Sequence, residues 1–270
     1  MAFYAKTKEK RQKWQGKKPS FRIGAPAYVY NLDILDNVHK LKDKVEDITL
    51  ILPEASNPRN IPRQEELKEL NEIRKDWNLT YTVHLPLDVD LGNPELSVRR
   101  KMAANMSALI ENLSCLEPCG HILHLNLSAN EPDIGLWLER IRWSIRRIAA
   151  KCEDVSEVAV ENLSYPFEYI DKLIMGNGFS ICTDVGHLIA AGIDPLAHLM
   201  TYLDRTRVIH LHGVNGIRDH VSLKYINPAL IDGLFGLLKE RGYAGVLTLE
   251  MFSEEDLEES FAILQDSLCM

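Results

Sequence analysis

The sequence predicts a single (β/α)8 barrel of the TIM type, and three observations carry that prediction. Short β-branched or apolar runs alternate with longer stretches of helical period from Phe21 onward. The alternation repeats eight times with no Pro/Gly/Ser-rich linker between units, which matches a closed parallel barrel of about 250 residues. The glycine signatures of the rival doubly wound sheet are missing, because Gly24 lacks the partners of a dinucleotide-binding turn and no Gly-x-x-x-x-Gly-Lys run occurs. One catalytic domain is expected over residues 21–270, preceded by a basic arm over residues 1–20.

Arg22 to Gly24 opens the series as a strand, and Ile34 to Lys44 follows with helical spacing. Asp47 to Leu52 is the second strand, rich in Ile and Leu, and Gln64 to Trp77 the second amphipathic helix. Thr80 to Leu85 pairs with Glu95 to Leu116, and His121 to Asn126 with Asp133 to Lys151. Val158 to Asn162 precedes Phe167 to Met175, and Phe179 to Asp184 precedes Leu196 to Leu203. Val208 to His212 with Pro228 to Arg241, then Val246 to Glu250 with Glu254 to Leu268, complete the eight. Proline at 94, 132, 166, 195 and 228 falls near a helix start in each case, where its missing N–H is tolerated.

Composition narrows the function. With 31 Lys+Arg against 39 Asp+Glu the net charge is -8, so no overall positive field gathers nucleic acid or an anionic membrane. Eight basic residues against Glu9 alone give the first 22 residues a local charge of +7, which leaves -15 for the rest. No apolar stretch long enough for a signal or membrane span follows them. Five cysteines without a Cys-x-x-Cys pair, in a chain too large to need staples, fit a reducing compartment. A cytoplasmic protein with a small-molecule substrate, and without a nucleic-acid partner, is expected.

In such a barrel the chemistry lies at the carboxyl ends of the strands. From the third strand on, those ends are polar: His84, His124, Glu161, Asp184 with His187 behind it, His210, then His220 in the following loop, and Glu250. Singly, a strand-end histidine is as often a satisfied core residue as a ligand. Jointly, three carboxylates in one barrel mouth would cost several kcal/mol each without a positive partner, and few Lys or Arg stand at the strand ends. Divalent metal resolves that cost. Imidazole mixed with carboxylate suits zinc, manganese, iron or cobalt better than magnesium or calcium. So many ligands exceed the needs of one ion and predict a multinuclear site, with His84, His124, Glu161, Asp184, His187, His210, His220 and Glu250 as metal ligands. Period-two alternation puts His212 on the face of His210, one step further up, as a substrate-binding residue or a hydrogen bonder behind the ligands. Cys182 reads as a small core residue one layer below Asp184.

These strand ends resemble the xylose-isomerase-like barrel superfamily, which contains the type 2 apurinic endonucleases and the sugar isomerases and epimerases. The resemblance spans roughly residues 21 to 268. It rests on Val83-His84-Leu85-Pro86, Glu161-Asn162, Asp184-Val185-Gly186-His187, His210-Leu211-His212 and Glu250. The endonuclease branch implies two or three zinc ions on the eight ligands named above, with Glu161, Asp184 and Glu250 as the catalytic carboxylates. One departure is visible: that branch carries an Asp-x-His pair where this chain has Arg218, Asp219 and His220.

Within the superfamily, Leu79 to Gly92 together with Phe21 to Pro26 resembles the cobamide-remodelling phosphodiesterases of the CbiR type. That resemblance implies metal-dependent hydrolysis of the nucleotide loop of a cobamide such as adenosylcobalamin, releasing α-ribazole and cobinamide phosphate. The acidic net charge agrees, since a small phosphodiester needs no basic groove and an endonuclease does. The alternative expectation is a sugar or sugar-phosphate isomerase or epimerase, with Glu161 and Glu250 as an acid/base pair about one metal. Pro53 to Arg63 is a candidate pocket wall by position alone.

Overall fold

The computed structural model describes residues 19–54 and 61–269. Nearly all of the expected basic arm, and the middle of the expected pocket wall, lie outside the described residues. The barrel strands are β1 (Arg22–Pro26), β2 (Asp47–Ile51), β3 (Thr80–His84), β4 (Gly120–Leu123), β5 (Val158–Glu161), β6 (Ser180–Asp184), β7 (Thr206–Leu211) and β10 (Val246–Leu249). Each pairs in parallel with the strands before and after it, and β10 pairs with β1, so the sheet closes in chain order into the predicted TIM-type barrel.

Alternation along the strands sorts their side chains into two cores. Ile23, Leu50, Val83, Val160, Ile181, Ile209 and Leu247 pack outward and join the large cluster under the helices. Ile122, Ala159, Cys182, Val208 and Val246 form a separate cluster inside the barrel, the filled interior this architecture requires. One step above it stand the polar strand ends, where register sets Glu161 beside Cys182 and His210 between Asp184 and Thr248. Cys182 is therefore a barrel-core residue, fully buried.

The helices are α1 (Ile34–Leu41), α2 (Gln64–Trp77), α3 (Leu96–Leu113), α4 (Ile134–Ala149), α5 (Asp171–Gly176), α6 (Val185–Ala190), α7 (Pro195–Tyr202), α8 (Pro228–Glu240) and α9 (Glu254–Cys269). Asp33, Asp133, Asp194 and Asn227 each accept a backbone N–H of the first turn, and Pro195 and Pro228 start their helices. Such caps contribute about 1 kcal/mol each. No helix among the described residues is long and apolar enough to cross a membrane.

The structure departs from the sequence expectation where the site is built. Phe167 to Met175 divides into a 3-10 turn, Phe167–Tyr169, and the short α5. Strand β4 ends at Leu123, whose ladder partner is Val160. Beyond it the chain is held from outside the sheet, by Tyr165 donating to the Leu125 carbonyl and by Asn126 Nδ2 donating to those of Leu87 and Val89. Helix α6 starts directly at the end of β6, with Asp184 as its cap. After β7 the chain forms a hairpin, β8 (Gly213–Asn215) and β9 (Arg218–Val221), where a loop was expected.

Candidate metal centre

Strands β3, β5, β6, β7 and β10 deliver His84, Glu161, Asp184, His210 and Glu250 to the carboxyl end of the barrel, all buried. Glu161 is the hub. Its Oε2 lies 2.9 Å from His124 Nε2 and 3.3 Å from His84 Nε2; its Oε1 lies 3.4 Å from His187 Nδ1 and 3.6 Å from His210 Nδ1. His210 also approaches Glu250 Oε2 at 3.0 Å and Asp184 Oδ2 at 3.7 Å. Yet neither of its ring nitrogens makes an aligned hydrogen bond.

Asp184 is fixed from several directions. Its Oδ1 accepts the His187 backbone N–H at 2.7 Å, its own N–H donates to Asn162 Oδ1 at 2.7 Å, and its carbonyl accepts from Asn162 Nδ2 at 3.0 Å. His212 is fully buried with Nε2 3.1 Å from Asp184 Oδ1. The His220 backbone N–H donates to His212 Nδ1 at 3.0 Å. His220 itself, in the hairpin, has a left-handed backbone with φ 53 and sets its Nε2 3.4 Å from Glu250 Oε2.

The ligand atoms fall into groups whose members lie within 4.8 Å of one another: His84, His124 and Glu161; Glu161, Asp184, His210 and Glu250; Asp184, His187, His212 and His220. All eight sequence-designated ligands are brought together, and His212 joins them. Arg218 is exposed. Cys182 Sγ also lies within 4.8 Å of ligand atoms of Glu161 and His210, but burial pushes its thiol up to about 12.

Electrostatics give the groups a common logic. Burial alone would raise the pKa of Glu161, Asp184 and Glu250, yet the facing imidazoles overcome it. His124 and His210 hold Glu161 well below the usual carboxylate range, His210 does the same for Glu250, and His212 brings Asp184 down to about 2. In turn burial would lower the histidines, but the carboxylates hold His210 well above its usual value and raise His212 to about 9. The ion pairs of the three carboxylates run to histidine, and among the described residues no Lys or Arg joins them.

This donor set fits divalent metal. The Leu85 carbonyl, 2.9 Å from His84 Nδ1, places that ring's proton on Nδ1. Nε2 is left facing a carboxylate oxygen at 3.3 Å, and a proton or a metal ion is required between them. The unbonded nitrogens of His210 among three carboxylates make the same demand. Nitrogen and oxygen donors in this mixture suit zinc, manganese or iron.

Two contributors escaped the sequence reading. Gly186 packs against His212, since a Cβ there would stand 2.1 Å from His212 Cε1. Phe252, just past β10, stacks on His220 at 4.4 Å and 12°. Neither residue type signals a metal site; the glycine inside Asp184-Val185-Gly186-His187 was the available clue.

Comparison with known proteins agrees with this architecture. A putative L-ribulose-5-phosphate 3-epimerase, SgbU of Escherichia coli K12, is 25% identical over 137 residues, 47% of this chain and 48% of the relative. The match thus spans about half the length of that relative. Among solved structures, a D-tagatose 3-epimerase-like protein superposes with a TM-score of 0.76 at 18% identity, covering 92% of this chain and 97% of its own. Endonuclease IV from Thermus thermophilus superposes with a TM-score of 0.70 at 20% identity, covering 91% and 99%. At these identities the structures speak to fold alone. The family described as xylose isomerase-like TIM barrel matches residues 46–267, and the chain belongs to it.

Proposed function

We propose that this protein is a metal-dependent phosphodiesterase that hydrolyses the nucleotide loop of cobamides to α-ribazole and cobinamide phosphate. The observation that carries the reading is the sharing of carboxylates: Glu161 and Asp184 each belong to two ligand groups. Sharing of that kind serves neighbouring metals and is superfluous around one. The substrate follows from the resemblance of Leu79 to Gly92 and Phe21 to Pro26 to the cobamide-remodelling enzymes.

Zinc, with manganese or iron as alternatives, would be held by His84, His124, Glu161, Asp184, His187, His210, His220 and Glu250, and supplies Lewis acidity toward a phosphoryl oxygen. Glu161, Asp184 and Glu250 stay anionic through the working pH range, because each is held below the usual carboxylate value. Their role there is to offset the charge of the metal, with Glu161 also placed to accept a proton. Asn162 fixes the Asp184 backbone on both sides, which preorganises the carboxylate before substrate arrives. His124 and His187 are only partly buried and face the solvent side, where a phosphodiester enters.

A second reading is an epimerase acting on a sugar phosphate. It is favoured by the curated relative's name and by the self-sufficiency of Glu161, Asp184, His210 and Glu250 as a ligand set for one ion. Elemental analysis of the purified protein, then incubation with adenosylcobalamin and separately with L-ribulose 5-phosphate, decides between them. Two or more metals per chain with released α-ribazole support the phosphodiesterase. One metal with epimerisation of the sugar phosphate replaces it with the second reading.

A further inference from the structure

The amino end of the barrel, opposite the metal centre, holds a cavity of about 640 Å³. Its walls come from the first residues of β1, β6, β7 and β10 and from the turns ahead of β4 and β5, so it lies across the barrel axis and not in a groove between helices. A volume of this size accommodates a small organic molecule. Four arginines line it, Arg22, Arg205, Arg207 and Arg241, and Asp204 is the one carboxylate among its described lining residues. Positive charge is thus concentrated at one end of a chain whose net charge is -8.

The partners of these arginines do not neutralise them. Arg207 is half-buried and directs its hydrogen bonds to the Cys119 and Ser156 carbonyls, and Arg205 donates to the Phe179 carbonyl at 2.7 Å. A carbonyl satisfies an N–H but carries no net charge. Arg22, also half-buried, makes no side-chain hydrogen bond or ion pair among the described residues. Arg241 meets Asp204 at 3.3 Å, but that carboxylate side chain is 80% exposed, so the pair is weak. Asp47 and Asp154 feel Arg22 and Arg207 through space, yet neither lines the cavity. Elsewhere the half-buried Arg74 and Arg140 are each matched by a carboxylate, Glu117 and Glu131. A half-buried guanidinium without one carries a desolvation cost that an anion in the cavity offsets.

We propose that this cavity binds a small organic molecule through a diphosphate group. A guanidinium fork pairs with two oxygens of a phosphoryl group at once. Four forks around one cavity call for more oxygens and more negative charge than one carboxylate supplies, and two joined phosphoryl groups supply both. The remaining volume takes the organic part. The site does not depend on the reading of the metal centre, which stands at the other end of the same strands, about 13–20 Å away at about 3.3 Å per residue.

The test is calorimetric titration of the metal-loaded protein with pyrophosphate, compared for wild type, Arg22→Gln and Arg241→Gln. Inorganic phosphate and citrate are companion probes, and the metal content of every sample is measured before and after. Neither arginine belongs to a ligand group, and Arg241 is exposed, so its variant folds whatever Arg22 contributes to the barrel. Pyrophosphate is expected to bind once per chain, more tightly than phosphate or citrate, with the metal retained. Each variant is expected to weaken it about ten- to hundredfold, as loss of a hydrogen bond between charged groups implies. Arg22→Lys should fall between wild type and Arg22→Gln, because it keeps the charge and loses the fork. Equal affinities in wild type and both variants put the pyrophosphate at the metal centre and overturn the cavity site. Absence of binding, or heat that accompanies loss of metal, overturns it too. Phosphate or citrate binding as tightly as pyrophosphate overturns the diphosphate class.

Discussion

The phenyl ring of Phe252 lies flat against the imidazole of His220, their centroids 4.4 Å apart. His212 stacks on that imidazole too, at 4.0 Å. Two rings cannot share one face, so His220 is sandwiched, and the sandwich fixes its plane in a hairpin residue with positive φ. Phe252→Ala removes one side. An aromatic pair contributes about 0.5–1.5 kcal/mol, so metal held by Asp184, His187, His212 and His220 should leave at roughly three- to tenfold lower chelator concentration, with Phe252→Tyr close to wild type. Release curves titrated with a chromogenic chelator check this, and superimposable curves would refute it.

Gly186 sits where His212 needs space. A Cβ would stand 2.1 Å from His212 Cε1 and 2.3 Å from its Nδ1, so Gly186→Ala must drive the imidazole away from Asp184. Overpacking of this kind costs about 1–3 kcal/mol. A urea melt should show that loss together with a drop in bound metal. A variant with both properties unchanged would mean that the ring moves freely.

Metal removal should destabilise the whole barrel, because strands β3, β5, β6, β7 and β10 each carry a ligand at or beside their carboxyl end. At a hundredfold excess over Kd, one bound ion adds about 2.7 kcal/mol, or roughly 5–10 °C in Tm for a domain of this size. Glu161→Gln should shrink the difference between metal-loaded and chelated melts and lower turnover by about 10³ or more. Scanning calorimetry with and without chelator reads the first effect. Full activity in Glu161→Gln would remove Glu161 from the site.

Asp47, at the amino end of β2, governs a separate pH effect. Burial raises its carboxyl to about 6, although Thr80 donates to Oδ2 at 2.6 Å. A carboxyl raised in the folded state binds its proton more tightly there than in the unfolded chain. Its contribution is therefore complete below pH ~4 and is lost as pH rises through about 6. The gap of some two units sets a ceiling of about 3 kcal/mol. Asp47→Asn should match wild type near pH 4 and exceed it by about 1–3 kcal/mol at pH 8. Urea melts at the two pH values test this, and a difference independent of pH contradicts it.

The barrel was legible because its strands carry their signal within four to six consecutive residues, and Gln64 to Trp77 and Val246 onward match the observed limits at one end or both. The ligands were legible because a strand end in this architecture has a known destination. What escaped was short or sterically defined. Helix α6 is six residues long and begins where a strand stops, so neither period has room to show. The hairpin pairs Gly213 with Val221 and Asn215 with Arg218, too few residues for alternation. Gly186 and Phe252 matter only through rings supplied by His212 and His220, whose approach depends on the closed barrel.

The sharing of Glu161 and Asp184 also makes the centre modular. Glu161, Asp184, His210 and Glu250 form a set complete in itself, and the outer imidazoles of His84, His124, His187 and His220 approach it from separate segments of the chain. Because each side chain stands on its own segment, a point substitution at one is expected to leave the inner set in place. A series of variants that removes these histidines one at a time is therefore expected to change how many metals the proposed centre holds while the inner set stays in place.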